Sequence, residues 1–322
     1  ALSAVEACAA KGVKFLSVIT SGFSEVGNNE DERKMVELAR ATGMRVLGPN
    51  IFGIFSSKVS LNATFGPGGI RPGKVAIVTQ SGALGIAMIG KTAVENIGLS
   101  AIISVGNKAD IDEADLLEYL VAQDETEIIM MYIEGVQDGE RLIGALRAAT
   151  RVKPVIVIKS GRSKRGAIAA ASHTGSLAGA DSVFDAIVRQ CGVLRAESLE
   201  EGFNWCKYLA QAALPAGDNC VIVTNGGGIG VLATDAAEKH GVSLHEDAAR
   251  LKEIFSPVTP DFGSTKNPVD LTGQASGEDY NMALGAALAD PEIHSVMALY
   301  CETALFDVDS LTEMIRSNHR AY

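Results

Sequence analysis

The segment Ala171-Ser172-His173-Thr174-Gly175 places a single imidazole inside residues 169–179, a run of almost nothing but small side chains. Neighbours without bulk let other backbone approach the ring closely. A pKa near ~6.5 leaves the ring largely neutral and nucleophilic at pH 7, which covalent catalysis by an imidazole requires. Such a histidine needs a group to fix its tautomer. Glu134 closes the apolar run 128–133, and a carboxylate there can accept a hydrogen bond from one ring N–H. The other nitrogen is then free to attack, and positive charge developing on the ring is stabilised. Taken singly, a loop histidine and a strand-end glutamate facing water are the ordinary readings. The rest of the chain is what argues for chemistry.

Apolar runs at 74–79, 101–105, 128–133 and 155–158 read as buried strands separated by helical stretches, and each ends in polar or glycine-bearing residues. If they form a parallel sheet, Ser81, Asn107, Glu134 and the His173 loop stand along one carboxyl edge, where open α/β sheets bind ligands. The turn Gln80-Ser81-Gly82 opens directly into a helical run ending at Val94. The first amides of that helix lack intrahelical acceptors and Ser81 is available as N-cap, a geometry suited to phosphate. Asp110 and Asp112 read as acids at the start of the next helix rather than as metal ligands, and Lys159 and Arg162 read as solvated.

Composition fits this picture. The chain has 322 residues, 47% hydrophobic and only 5% aromatic, enough for two or three domains of helix-covered parallel sheet. A formal charge of −11 argues against a sequence-independent grip on nucleic acid, so an anionic ligand must be held by backbone amides and helix ends. Five cysteines without a CxxC pair suggest a reduced, cytoplasmic protein without a zinc site. No apolar run approaches the ~20 residues that cross a bilayer, so no membrane partner is expected. The first residues read as a helix tail (2–10), a strand (13–20), a helix (30–42) and a strand (44–47), the back half of a nucleotide-binding domain. Residues 56–72 read as a linker, and the start at Ala1 suggests a fragment.

The chain also repeats itself. Val75-Ala76-Ile77-Val78-Thr79-Gln80-Ser81-Gly82-Ala83-Leu84-Gly85 is echoed by Cys220-Val221-Ile222-Val223-Thr224-Asn225-Gly226-Gly227-Gly228-Ile229-Gly230, and Gly106-Asn107-Lys108-Ala109-Asp110 by Lys266-Asn267-Pro268-Val269-Asp270. Two related flavodoxin-like domains are expected, each with a turn leading to a helix N-terminus, and two such ends would hold one phosphate more firmly than either alone. A rival exists: Gly228-Ile229-Gly230-Val231-Leu232-Ala233, with Glu246 after the next apolar run, fits a dinucleotide-binding pattern and a nicotinamide-dependent oxidoreductase.

These segments, with Gly48-Pro49-Asn50, Tyr132-Ile133-Glu134-Gly135 and Lys159-Ser160-Gly161-Arg162, together resemble the NDP-forming acyl-CoA synthetases, which include ADP-forming acetyl-CoA synthetase and, more distantly, succinyl-CoA synthetase. The resemblance implies an α/β protein: a truncated Rossmann-like CoA-binding domain with linker (1–72), then two flavodoxin-like parallel-sheet domains (73–215 and 216–322). It implies that His173 is transiently phosphorylated and oriented by Glu134. Ser81 and Gly82 then fall on one phosphate-binding helix start, Gly226, Gly227 and Gly228 on a second, and Ser21, Gly22, Phe23, Pro49 and Asn50 where the family contacts CoA. The implied substrates are acyl-CoA and phosphate. ATP or ADP and Mg²⁺ would be bound by an ATP-grasp subunit or domain, and the assembly would be oligomeric. Two departures stand out: the family's first glycine-rich CoA loop would precede Ala1, and Ile51 stands where succinyl-CoA synthetases carry a cysteine. A non-catalytic CoA-binding regulatory module is the alternative, against which retention of His173 argues.

Overall fold

The structure is a computed structural model in which residues 2–168, 181–304 and 308–321 are described. It divides into two compact units, Ala1–Ala212 and Ala213–Tyr322. The first unit opens with helix Leu2–Ala10, strand β1 (Phe15–Ser17), helix Asn29–Ala41 and strand β2 (Arg45–Leu47), the two strands pairing in parallel. Met35 and Ala39 project from one face of the helix onto Val46, and Val5, Val18, Phe23 and Met44 complete this small core.

Seven strands follow in one sheet: β3 (Gly53–Ser56), β4 (Leu61–Thr64), β5 (Pro72–Thr79), β6 (Leu99–Ser104), β7 (Ile128–Ile133), β8 (Val155–Lys159) and β9 (Leu194–Ala196), in the spatial order β4-β3-β6-β5-β7-β8-β9. The five strands β5 to β9 run parallel. Side chains alternate across a strand, so Val75 and Ile77 of β5 enter one core with Met88, Ile89 and Phe203, while Ala76 and Val78 enter another with Leu117, Leu146 and Val188. Both faces are covered by helices, which is why these strands are continuously apolar. Counted along the chain, the parallel strands lie in the order 2-1-3-4-5 of flavodoxin-like sheets.

Residues 56–72 are not the expected linker. β3 and β4 form an antiparallel hairpin with register Gly53↔Thr64 to Ser56↔Leu61, and β3 joins the sheet through β6. Nor does the first segment stand apart as a compact unit of its own. The loop after β2 is zipped to the loop after β6 by backbone bonds from Asn107 N to Pro49 O (3.0 Å), Ala109 N to Gly48 O (3.0 Å) and Ile111 N to Val46 O (3.1 Å). Asp110, expected as a helix-start acid, instead ties the two segments: its buried carboxylate accepts from Arg40 at 2.6 Å, Arg45 at 2.9 Å and Val46 N at 2.8 Å. Burial, the largest single influence, would raise its pKa, but these donors together hold the carboxyl below its usual range. Asp112 does cap its helix, in a reciprocal box with Asp115.

The second unit carries β10 (Cys220–Thr224), β11 (Val269–Asp270) and β12 (Ser295–Leu299) in the order β11-β10-β12, all parallel. This is again 2-1-3 counted along the chain. Its core gathers Val221, Val223, Leu251, Phe255, Tyr280 and Leu284.

Candidate functional site

In a 2-1-3-4-5 sheet the connections change direction between the first and third strands, and the crevice beyond their carboxyl ends is where ligands bind. Here those strands are β5 and β7. Ser81 follows β5 and Glu134 follows β7, and both line a cavity of about 910 Å³. Ser21 and Asn50 line it from the first segment, Gly82 and Asn107 from the sheet side. Ser81 has extended backbone, and its hydroxyl accepts from Leu84 N at 3.3 Å, capping helix Gly82–Val94. The amides at that helix start have no intrahelical carbonyl to bond and carry the positive end of the helix dipole.

The turn that carries Glu134 is held by buried side chains. Gln80 accepts from the backbone N–H of both Glu134 and Gly135 and donates to Gly135 O at 3.1 Å. Lys108 Nζ donates to Gly135 O at 2.6 Å and pairs with Glu113 Oε1 at 2.7 Å. Lys159, expected to be solvated, is buried, with Nζ donating to Glu134 O at 2.7 Å and also to Ser160 O. Burial pushes its ammonium below the usual lysine range. Burial raises the Tyr132 phenol, a shift that Ser160 opposes and the neighbouring Glu134 carboxylate adds to. Arg162 meets Glu197 at 3.4 Å and Asp181 at 3.8 Å on a half-exposed surface.

On the opposite wall two carboxylates occupy a cluster of donors. Phe23 N donates to Glu25 at 3.2 Å, and so does Gly22 N; Ser24 N and Oγ donate to Glu32 at 3.2 and 2.7 Å. Asn107 Nδ2 reaches both, at 2.6 Å to Glu25 and 2.8 Å to Glu32. Burial alone would raise the Glu25 pKa, but the bonds from Asn107 and the backbone amides outweigh it and lower the carboxyl.

The second unit reproduces the turn after β5. Thr79 Oγ1 donates to Ser81 O at 3.0 Å, and Thr224 Oγ1 to Gly226 O at 3.2 Å. Gly85 and Gly230 let each helix press on that threonine's methyl group: an added Cβ would lie 2.9 Å from Thr79 Cγ2 and 3.2 Å from Thr224 Cγ2. Helix Gly227–His240 therefore starts as helix Gly82–Val94 does, although Gly226 provides no side-chain cap. The second echo is different. Register pairs Thr79 with Ser104 and Thr224 with Asp270, so Asp270 matches Ser104 and not Asp110. The dinucleotide reading also fails geometrically. Leu244 bridges Cys220 at the start of β10, and Glu246 lines a recess with Asn219 and Glu238. At ~3.3 Å per residue along the strand, that is the far end from the glycine turn.

Of the residues singled out from sequence, Ser21, Asn50, Ser81, Gly82 and Glu134 therefore share one cavity. Pro49 contributes its carbonyl to Asn107, and Phe23 is 4% exposed in the first core. Gly22 is exposed at the cluster that holds Glu25. Gly226, Gly227 and Gly228 start a helix of the second unit, and His173 lies outside the described residues. Gln80, Lys108 and Lys159 went unrecognised as functional. A polar residue ending an apolar strand is the signal that Gln80 and Lys159 carry, and Lys108 lies in the loop after β6. Among the described residues, no group of His, Cys, Asp or Glu is suited to a metal ion, and no helix is long and apolar enough to cross a membrane.

A flavodoxin-order sheet with a serine-capped helix start and a framed glutamate at its switch point matches the domains of CoA ligases. Residues 72–209 match the succinyl-CoA ligase-like flavodoxin domain and residues 220–318 the ligase-CoA domain. The alpha subunit of ADP-forming acetate–CoA ligase I from Pyrococcus furiosus is 54% identical over 313 residues, covering 97% of this chain and 68% of that one. The 4-hydroxybutyrate–CoA ligase (ADP-forming) of Nitrosopumilus maritimus is 36% identical, covering 99% of this chain but 46% of its own length. A solved structure of acetyl-coenzyme A synthetase 1 from Ca. Korarchaeum cryptofilum, in complex with phosphate and ADP, superposes with TM-score 0.96 at 44% identity, covering 99% of this chain and 69% of that one. The chain belongs to the NDP-forming acyl-CoA synthetases, among the relatives of the ADP-forming acetate–CoA ligase alpha subunits. It spans about two thirds of those alpha subunits and under half of the longer ligases.

Proposed function

We propose that this chain is the acyl-CoA- and phosphoryl-handling part of an ADP-forming acyl-CoA synthetase. Acyl-CoA and phosphate give an acyl phosphate and free CoA. The acyl phosphate passes its phosphoryl group to His173, releasing the carboxylate, and the phosphohistidine then converts ADP to ATP. Covalent capture splits one difficult transfer into two displacements. Glu134 orients the ring and stabilises its positive charge. The helix start at Ser81-Gly82 supplies amides to the phosphoryl oxygens, the start at Gly226-Gly227-Gly228 is given the same role in its own unit, and Ser21, Gly22 and Asn50 face the CoA. Phe23 shapes that wall from the core, and Pro49 sets the loop that presents Asn50.

The observation that carries this reading is that Ser81, Gly82 and Glu134 line the same cavity as Ser21 and Asn50. Nucleotide and Mg²⁺ belong to an ATP-grasp subunit or domain, in keeping with the alpha-subunit relatives; among the described residues no group of His, Cys, Asp or Glu could hold a metal ion. The setting is a cytoplasmic oligomer.

The test is to incubate the chain with ATP and its ATP-grasp partner, or with an acyl phosphate, and to assay phosphate that is acid-labile and base-stable. Label is expected on the wild-type protein and absent from His173→Ala. Label that persists in the variant would end the histidine assignment, and an unlabelled wild type would favour the regulatory-module alternative.

A further inference from the structure

The turn after β7 is held by two lysines that, among the described residues, have no counterpart at the equivalent turn of the second unit. Register sets Thr79 opposite Tyr132 and Thr224 opposite Leu299, so Glu134 and Cys301 occupy equivalent positions two residues on. Each turn has a strand-end amide clamp. Gln80 bonds Gly135 O at 3.1 Å and Gly135 N at 3.0 Å; Asn225 bonds Cys301 O at 2.9 Å and Cys301 N at 2.7 Å. The clamp is therefore a property of the fold, present whether the turn carries a carboxylate or a thiol.

The lysines are not shared. Lys108 Nζ reaches Gly135 O at 2.6 Å and Lys159 Nζ reaches Glu134 O at 2.7 Å, one from beyond β6 and the other from the end of β8. They fix the turn from both sides, and their relative exposures are only 5% and 7%. Lys108 also adopts φ +57, a left-handed conformation that a branched-off side chain disfavours and that tends to persist where a site imposes it. In the second unit, Thr272 (φ +68) is the register match of Gly106 (φ +54), and the residue two further on is the exposed Gln274. Burying an ammonium group is unfavourable unless it is well bonded, and among the described residues no lysine reaches the equivalent turn of the second unit.

We propose that Lys108 and Lys159 are positioning residues that fix the Glu134-Gly135 backbone, and through it the Glu134 carboxylate, for phosphoryl transfer. This rests on the roles given above to Glu134 and His173. Each lysine donates to a main-chain carbonyl of the turn, so its loss frees the peptide planes to rotate and releases the carboxylate from its fixed place.

The test is a double-variant cycle on the full chain with its ATP-grasp partner, reading the single-turnover rate of acid-labile phosphate formation from ATP. Lys108→Met and Lys159→Met are each expected to slow the step about tenfold with the KM for ATP unchanged. In the Glu134→Gln background the same changes are expected to alter the rate less than twofold, because nothing remains to be positioned. The same loss in both backgrounds, or full rates in the lysine variants, would overturn the proposal. Should a methionine variant fail to fold, Lys108→Gln and Lys159→Gln keep an N–H donor without the charge and complete the same cycle. A wild type that takes no phosphate removes the parent function; a labelled wild type with equal losses removes the lysine roles alone.

Discussion

The turns after β5 and β10 start from nearly the same sequence and reach nearly the same backbone, yet two buried lysines flank the first, whereas among the described residues a single carboxylate, Asp270, lies beside Gly227 of the second. Both have a buried threonine bonded across the turn, a glycine pressed on its methyl group and an amide clamped to the neighbouring strand. Around the first lie Glu134, Lys108 and Lys159; at the matching place in the second lies Cys301. The scaffold that presents a helix start is thus separable from the charged residues beside it, and a few substitutions at strand ends distinguish the two edges.

The sharpest way to break that comparison is at Glu134. Glu134→Gln is expected to slow phosphohistidine formation by about 10² through loss of orientation and charge, while Cys301→Ser changes it less than twofold. Equal effects would mean the two turns are not divided as described. Packing should also discriminate. A Cβ at Gly85 would lie 2.3 Å from Phe52 Cε1, whereas at Gly230 its nearest neighbour is Pro268 Cβ at 3.1 Å. Gly85→Ala should cost roughly 2–3 kcal/mol by overpacking, and Gly230→Ala less than about 1 kcal/mol because added helix propensity offsets the contact. Urea denaturation followed by far-UV circular dichroism checks both. Trp205, the single tryptophan, belongs to the first unit and reports its unfolding by fluorescence.

The two aspartates once paired by sequence give the next contrast. Asp110→Asn is expected to destabilise the first unit by about 2 kcal/mol at pH 7, the scale of hydrogen bonds to a charged group, and Asp270→Asn the second unit by less than about 1 kcal/mol. The Asp110 carboxyl is depressed in the folded protein, so its contribution is present above the ordinary value near ~3.9 and is lost as pH falls through the lower folded value. The difference between wild type and Asp110→Asn should therefore close in strong acid. A gap that widened there would reverse the sign. Smallest is Ser81→Ala, expected at about 1 kcal/mol for the lost cap, with no equivalent available at Gly226; Trp205 fluorescence in urea measures it.

The parallel strands and the position of Ser81 were legible in the sequence because apolar runs ending in polar turns have few other uses. So was the first repeat, since eleven aligned positions constrain a turn more than any single motif. The hairpin β3–β4 was not: residues 56–72 read as a linker, and the exposed strand Leu61–Thr64 lacks the apolar alternation that would mark it. Lys159 was misread because its burial comes from the carbonyl of another strand, a partner that sequence spacing does not reveal. The Asp110–Asp270 echo misled for a related reason, since similar spacing placed the two residues at different registers. The cavity wall from the first segment was only partly legible. Phe23 has the type of a contact residue but fills the core, while Glu25, in the short turn Ser24–Val26, and Glu32, in helix Asn29–Ala41, line the cavity without having been singled out.

Asp110 has a mechanical consequence. Neither it nor Arg40 nor Arg45 lines the cavity, yet their ion cluster and the backbone rungs from Val46 to Ile111 staple the cavity's two walls together. An incoming molecule that needs more room must gain it by swinging side chains such as Glu25 aside, because parting the walls would tear a buried carboxylate from three donors. The Val46 amide, which donates to that carboxylate, should accordingly be among the slowest to exchange with deuterium in this half of the protein, with or without ligand.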